Sequence, residues 1–384
     1  MYPSETIYQW RDLFMHHLPR LSAPQATELA SWCLGIVLAK SSTLTQVFVA
    51  LAAWSKVGIQ TVRQRLRDFY LPADIKRGKK RAELVVEDSF GDLFTWVLSL
   101  LPGKKVALAL DASLIEDRFA ALCISVLVGG CAIPVAWKLL PANQKGEWKS
   151  HWLTLLSRLA GSASAGREVY VLMDRGLSAD WLFQAICRNG WRPLMRINAD
   201  GCFKPEGDTW RPLQGMIAKD GQAICVPGLC WKQSRLPCVL LCFWGQAARE
   251  PWLLLTDRVR EPTEASWYGL RMWIEHQFKV VKSQGLQCEK SRMADPLRME
   301  RLWLAYAVSL LMHLSHGSAA EQTGQFDGRA GDRRRKDGTK ARLVSLWLKG
   351  RAVLMAAVSG HVRMRCPHFE DDIWPSYTAI NNTS

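Results

Sequence analysis

The chain has 384 residues, 48% of them hydrophobic and 22% charged, enough apolar side chain for a buried core, which excludes an intrinsically disordered chain. At about 150 residues per domain the length allows two or three domains. Fifty Lys+Arg against 35 Asp+Glu leave a net charge of +15, which favours a polyanionic partner, nucleic acid or an anionic membrane surface, over a small neutral ligand.

Apolar residues recur at helical spacing through Leu29-Trp32-Cys33-Ile36-Val37 and Leu44-Val47-Phe48-Leu51-Ala52, so residues 6 to about 70 read as helical. A break at Lys56-Val57-Gly58 precedes the stretch Ile59 to Tyr70, which carries Arg63, Arg65 and Arg67. Helix, turn and basic helix suggest a helix-turn-helix whose arginines contact DNA; a solvated basic face on a helical bundle would read the same way. The run Lys76-Arg77-Gly78-Lys79-Lys80-Arg81 reads as a loop near phosphates. Residues 1–85 are thus expected to form a helical DNA-binding domain.

From Lys105 the pattern changes. Val106 to Leu110 is a continuous apolar run ending in Asp111, the mark of a strand buried on both faces. Phe119 to Trp137 is uncharged over nearly a membrane span. Its Gly129-Gly130 pair and β-branched residues suit a hairpin, 121–128 with 131–140. A helix over 148–159 follows. Val169 to Met173 is a second central strand, ending in Asp174, with a helix near 178–188 and a strand near 192–197. This order predicts a mixed α/β sheet with flanking helices. Residues 198–260, rich in Gly, Pro and Trp, read as a β-rich insert. Helices are expected over 264–282 and 297–314, a basic linker over 318–340 with Arg333-Arg334-Arg335-Lys336, and a last helix and tail over 341–384.

The eleven cysteines sit in apolar runs such as Leu122-Cys123-Ile124, where free Cys behaves as a small hydrophobe. No disulfide framework is implied, and a reducing cytosol is expected. Cys225, Cys230, His361, Cys366 and His368 match no familiar zinc spacing. The start, Met1 to Thr6, lacks the layout of a signal peptide, so a cytoplasmic location is expected.

Three acids carry the candidate chemistry. Asp111 and Asp174 each terminate a buried strand, which puts both carboxylates at one edge of the sheet if the strands are neighbours; an Asp there is also a common helix N-cap. The third is Glu275. At 100° per residue, Tyr268, Arg271, Glu275, Lys279 and Lys282 share one face of the 264–282 helix, opposite Leu270, Trp273, Ile274, Val280 and Val281. Glu275 and Lys279 form an i,i+4 pair, as a solvated face would, and the surplus of cations is what a DNA backbone would neutralise. Arg271 and Lys282, pointing away from the apolar face, are expected to matter for binding more than for folding.

Tyr268, Arg271, Glu275 and Lys282, with two, three and six residues between them, resemble the Tyr-Arg-Glu-Lys signature of bacterial insertion-sequence transposases of the IS-four type. Asp111 and Asp174 resemble the first two acids of that family's Asp-Asp-Glu triad, and the insert between Asp174 and Glu275 stands where the family carries one. The resemblance covers about 105 to 315. It implies an RNase H-like fold over 100–317, with Asp111, Asp174 and Glu275 as catalytic ligands to two Mg²⁺ ions, Mn²⁺ being a possible substitute. Such ions suit carboxylate oxygens and phosphodiester chemistry. It also implies transposon-end phosphates on Arg271 and Lys282, a hydrogen bond from Tyr268 to the same backbone, double-stranded DNA as partner and substrate, and a homodimer in the synaptic complex. The implied activity is DNA cleavage and strand transfer in the bacterial cytoplasm, at the nucleoid. Two rivals share these residues: an RNase H-like nuclease that never joins ends, and a catalytically silent, transposase-derived DNA-binding protein. A membrane-surface protein would need a basic amphipathic anchor, for which the 59–70 helix has too few bulky apolar residues.

Overall fold

A computed structural model of the chain describes residues 3–76, 82–144, 148–163, 166–216, 223–245, 249–258, 262–325, 333–334, 340–341, 344–360, 366–369 and 373–374. Of the two basic runs, only Lys76 and the backbone of Arg333 and Arg334 fall within them, and His361 falls outside.

Four helices open the chain: α1 (Pro3–His17), α2 (Ala23–Ala39), α3 (Leu44–Ser55) and α4 (Ile59–Tyr70). The start of α2 is fixed by a capping box in which Ser22 and Gln25 satisfy each other's backbone N–H, as the Ser-x-x-Gln spacing dictates. Lys56 closes α3 in the left-handed region at φ 58°, and α4 starts three residues on. Val62, Leu66 and Phe69 bury one side of α4, while Arg63 and Arg65 are exposed and Arg67 is half-buried. No single helix among the described residues is long and apolar enough to cross a membrane; α2 and α3 reach that length only as a pair bent by 92°.

After α5 (Phe90–Ser99) come the strands β1 (Lys105–Ile115), β2 (Phe119–Val128) and β3 (Cys131–Pro141), then α6 (Lys149–Leu159), β4 (Glu168–Met173), α7 (Asp180–Arg188) and β5 (Arg192–Arg196). The uncharged 119–137 stretch is therefore two sheet strands. All ten residues of β2 are buried, and α5, α6, α8 (Met272–Lys279) and α9 (Pro296–Gln322) pack around the β1–β3 meander. The strand order runs β3-β2-β1-β4-β5. Strand β1 is antiparallel to β2 but parallel to β4, which is parallel to β5.

The 198–260 stretch extends this same sheet. Its strands β6 (Cys202–Pro205), β7 (Arg211–Pro212), β8 (Ala223–Cys230), β9 (Leu236–Phe243) and β10 (Trp252–Thr256) complete a ten-stranded sheet in the order β5-β10-β9-β8-β6-β7. The edge of β5 would otherwise expose unpaired backbone groups, and β10 covers it, pairing Leu254 with Arg196 and Leu255 with Met195.

Two helices differ from the sequence expectation. The 264–282 helix is not one regular α-helix: Pro262–Arg271 forms 3₁₀ turns, α8 follows, and Val280–Gln284 is π-helical. Helix α9 does not stop before residue 318 but runs to Gln322, buried on nearly all sides from Met299 to Ser318. Gly317 lies inside α9, where α10 (Leu346–Ser359) crosses. A Cβ on Gly317 would collide with the Leu346 carbonyl, and one on Gly350 with the His313 carbonyl. Here glycine permits close approach rather than ending a helix. A pair of two-residue strands, β11 (Arg333–Arg334) and β12 (Lys340–Ala341), completes the described elements.

Candidate active site

Strand β4 ends at Met173, opposite Leu110 of β1. Beyond that register β1 continues on β2 alone, with Asp111 facing Cys123, and burial on both faces gives way to partial exposure at Asp111. One strand's end therefore opens the neighbour's flank: Asp174 follows the carboxyl end of β4, whereas Asp111 does not terminate β1 as the sequence suggested but lies within it, beside that end, because β1 runs on to Ile115 paired with β2. Both also make local turns: Asp111 Oδ1 accepts the Ala112 N–H at 2.9 Å, and Asp174 Oδ1 accepts the Arg175 N–H at 2.8 Å. The capping role is real for Asp174, and it leaves the second carboxylate oxygen free to face the third element.

That element brings Arg271 and Glu275. Arg271 Nη2 lies 3.1 Å from Asp111 Oδ2 and 3.7 Å from Asp174 Oδ2, and its Nη1 lies 3.1 Å from Glu275 Oε1. One guanidinium thus gathers three carboxylates drawn from positions 111, 174 and 275. Its fork of donors suits planar carboxylates better than an ammonium would. Tyr268 donates from its hydroxyl to Asp174 Oδ1 at 3.4 Å. In a 3₁₀ turn residues i and i+3 eclipse, so Tyr268 and Arg271 stack along one line facing the sheet.

This corrects the expected orientation. Arg271 is 8% exposed and Tyr268 4%: neither stands on a solvated face, because the carboxylates they neutralise lie on the sheet side. The carboxylates keep access to solvent, with 21%, 36% and 38% of the side chains of Asp111, Asp174 and Glu275 exposed. Lys279 is exposed and Lys282 half-buried. Arg63, Arg65 and Arg67 are on α4, which packs on α2, α3 and α9 rather than on the carboxylate-bearing strands.

Burial pushes the Asp111 carboxyl above the usual range, Arg271 and the Ala112 N–H oppose this, and Asp174 and Glu275 push it further up. For Arg271 burial alone would favour the neutral form, but Asp111, Tyr268, Asp174 and Glu275 outweigh it and hold the cation. Burial, reinforced by Asp174, drives the Tyr268 phenol far up, so it serves as a hydrogen-bond donor.

A second ring of residues escaped the sequence analysis. Arg196 Nη1 lies 4.0 Å from Asp174 Oδ1, and Arg196 and Arg175 both meet Glu250 Oε2 at 3.1 Å. The signal for Arg196 was the one that found the aspartates, a polar residue closing an apolar strand. Glu250 gave none, since only folding brings it near. Trp252 packs edge-on against Tyr268 with ring centroids 5.4 Å apart, which makes it part of the wall behind the phenol. Glu116, in the β1–β2 turn, pairs with Arg118 at 2.9 Å.

Among the described residues no three His, Cys, Asp or Glu side chains are grouped closely enough to hold a metal ion. Arg271 takes the position between the carboxylates. The donor set nonetheless fits a hard divalent cation in kind, being all carboxylate oxygen and partly open to water, and the site already concentrates positive charge at one point.

No protein-family model and no curated protein matches the chain. It is similar, with a TM-score of 0.43 and 12% sequence identity over 93% of this chain and 78% of the other, to a piggyBac transposase solved by cryo-EM in a synaptic complex with hairpin DNA.

Proposed function

We propose that the chain is a DNA transposase of the insertion-sequence type with an RNase H-like core, cutting and joining DNA at Asp111, Asp174 and Glu275. The observation that carries this reading is the convergence of three carboxylates, 63 and 101 residues apart along the chain (174 − 111 and 275 − 174), on one guanidinium where the parallel pairing of β1 with β4 ends. Ligands of open α/β sheets bind at such strand ends. The β3-β2-β1-β4-β5 order, with β2 antiparallel between β1 and β3, supports the RNase H-like assignment, and the charge of +15 supports DNA as partner.

Asp111, Asp174 and Glu275 would hold Mg²⁺, or Mn²⁺ in its place, which when bound activates a water or 3′-hydroxyl and stabilises the leaving oxygen. In the observed arrangement Arg271 occupies that space, so loading requires its guanidinium to leave. A DNA phosphate is the natural acceptor, because Arg pairs with phosphate in the same forked geometry as with carboxylate. Tyr268 orients Asp174, and Lys279 and Lys282 extend the positive face along the same segment. Two strands of DNA ends joined in one reaction imply a dimer on DNA.

The test is incubation with the DNA flanking its own coding sequence, with and without Mg²⁺, followed by mapping of nicks and a strand-transfer assay on precleaved ends. Nicks that need Mg²⁺ and vanish in Asp111→Asn, together with joined product, are expected. Nicks without joining would assign a nuclease, and DNA binding without either would assign the silent regulator. Unchanged activity in Asp111→Asn would remove the site.

A further inference from the structure

A cleft of about 750 Å³ lies between the N-terminal helices and the segment that leads into α9, with Trp32 and Tyr70 from the former and Lys290, Arg292, Arg298 and Asp295 from the latter among its lining residues. It is built by satisfying backbone, not side chains. Ser42 fixes one end, its N–H and hydroxyl both donating to the Leu286 carbonyl at 2.7 Å. Arg118, in the β1–β2 turn, donates to the carbonyls of Glu289 at 2.9 Å and Met293 at 2.8 Å and also to that of Ser291. With its carbonyls turned inward on that guanidinium, the segment leaves Lys290 and Arg292 exposed.

Charge in the cleft is one-sided. Asp295 is the one acid among its described lining residues, and it is engaged in capping α9, accepting the Arg298 N–H at 3.0 Å. Arg298 Nε makes no hydrogen bond among the described residues but lies 3.6 Å from Asp295 Oδ2, an ion pair within the first turn of α9. Burial pushes the Tyr70 phenol up, and the positive charges of Arg67, Arg298 and Arg63 oppose this. Three cations, Lys290, Arg292 and Arg298, therefore line one open volume against a single acid. The cleft is tied to the candidate active site through one strand: β1 carries Asp111 and runs on to Ile115, just before the turn whose Arg118 holds the carbonyls of the Glu289–Met293 segment.

We propose that this cleft binds the phosphate backbone of the duplex that flanks the scissile position, with Lys290 and Arg292 as the phosphate contacts. The inference rests on the DNA-acting reading above and adds to it a second anchoring site. Two anchors fix the register of the strand over the carboxylates, which a single anchor leaves free to slide.

The experiment measures fluorescence anisotropy of a labelled duplex of about 30 base pairs against the full chain over a salt series. The variants are Lys290→Glu/Arg292→Glu and, as a charge control, Lys104→Glu, an exposed residue at the opposite, amino-terminal approach to β1. The double variant is expected to weaken binding at least tenfold and to lower the salt slope by about 2, with an unchanged unfolding temperature, since each phosphate contact contributes about one unit of slope. Lys104→Glu is expected to change neither by as much. A double variant that binds with wild-type affinity and slope, or loses no more than the control, overturns the cleft and leaves the DNA reading standing. Wild-type protein that binds no duplex overturns both. Loss of inorganic phosphate binding with duplex affinity retained assigns the cleft to a free anion and also overturns the proposal.

Discussion

Arg271 decides how the site behaves before any substrate arrives. Removing it leaves three carboxylates facing one another without a counter-charge, and like charges held that close raise each other's proton affinity. Because the acids are partly solvated, the cost is below the 3–5 kcal/mol of a fully buried pair. Arg271→Gln is expected to lower stability by roughly 1–3 kcal/mol in urea unfolding, whereas Lys282→Gln, half-buried, should stay within about 0.5 kcal/mol. Mg²⁺ in the absence of DNA should restore stability to Arg271→Gln and leave the wild type unchanged, because only the variant has the space between its carboxylates vacant. Equal responses of both proteins to Mg²⁺ would show that Arg271 does not guard that space. That Asp111, Asp174 and Glu275 come together was legible in their positions, since an acid ending an apolar run and an acid in a spaced motif are local patterns. The role of Arg271 was not, because the helical wheel assumes 100° per residue and cannot show that 3₁₀ turns rotate the residue onto the sheet.

Elements were legible where one interaction dominates. The continuous apolar runs of β1, β2 and β4 leave no choice but a strand covered on both faces, and α4 separates its arginines from Val62 and Leu66 at a spacing only a helix gives. Where packing overrides local preference the sequence misleads. The sequence reads as a helix over 297–314 followed by a linker from 318, but α9 runs on to Gln322, with Gly317 as the notch that lets α10 cross and Gly350 as its counterpart. His313 stacks on Trp347 beside that crossing, the ring centroids 3.9 Å apart. Gly350→Ala forces a methyl group against the His313 carbonyl, so the helices must separate; overpacking of this kind costs about 1–3 kcal/mol. The expected result is a fall of that size in the free energy of unfolding. Ala357→Gly, at a half-buried position of α10, serves as comparison and should cost about 1 kcal/mol through helix propensity alone. If Gly350→Ala cost less than Ala357→Gly, the close approach would not be structural.

At the scale of the whole molecule, two histidines pin distant parts of the fold in their neutral form. Burial pulls the His313 imidazole down to about 3, the backbone bond to Ser309 opposing and His316 and Arg351 adding to the fall. Burial, with His16 nearby, pulls His17 down to about 4. His17 stacks flat on Trp96, centroids 4.5 Å apart, and so ties α1 to α5 as His313 ties α9 to α10. In the unfolded chain both titrate near 6.5. Between pH 6.5 and about 4 the unfolded state therefore binds two protons that the native state refuses. Stability conferred by the neutral rings is complete above pH 6.5 and declines as the pH falls through that window. Urea midpoints should drop between pH 7 and pH 5, where most carboxylates are still ionised. His17→Phe/His313→Phe should flatten the slope over those two units even where its absolute stability is lower. The positive net charge of the chain would also make acid destabilising by self-repulsion, but salt screens that effect and leaves buried titrations nearly untouched. A pH dependence that disappears in high salt, or that survives the double substitution at full slope, would transfer the acid sensitivity from the two stacked rings to the molecule's overall charge.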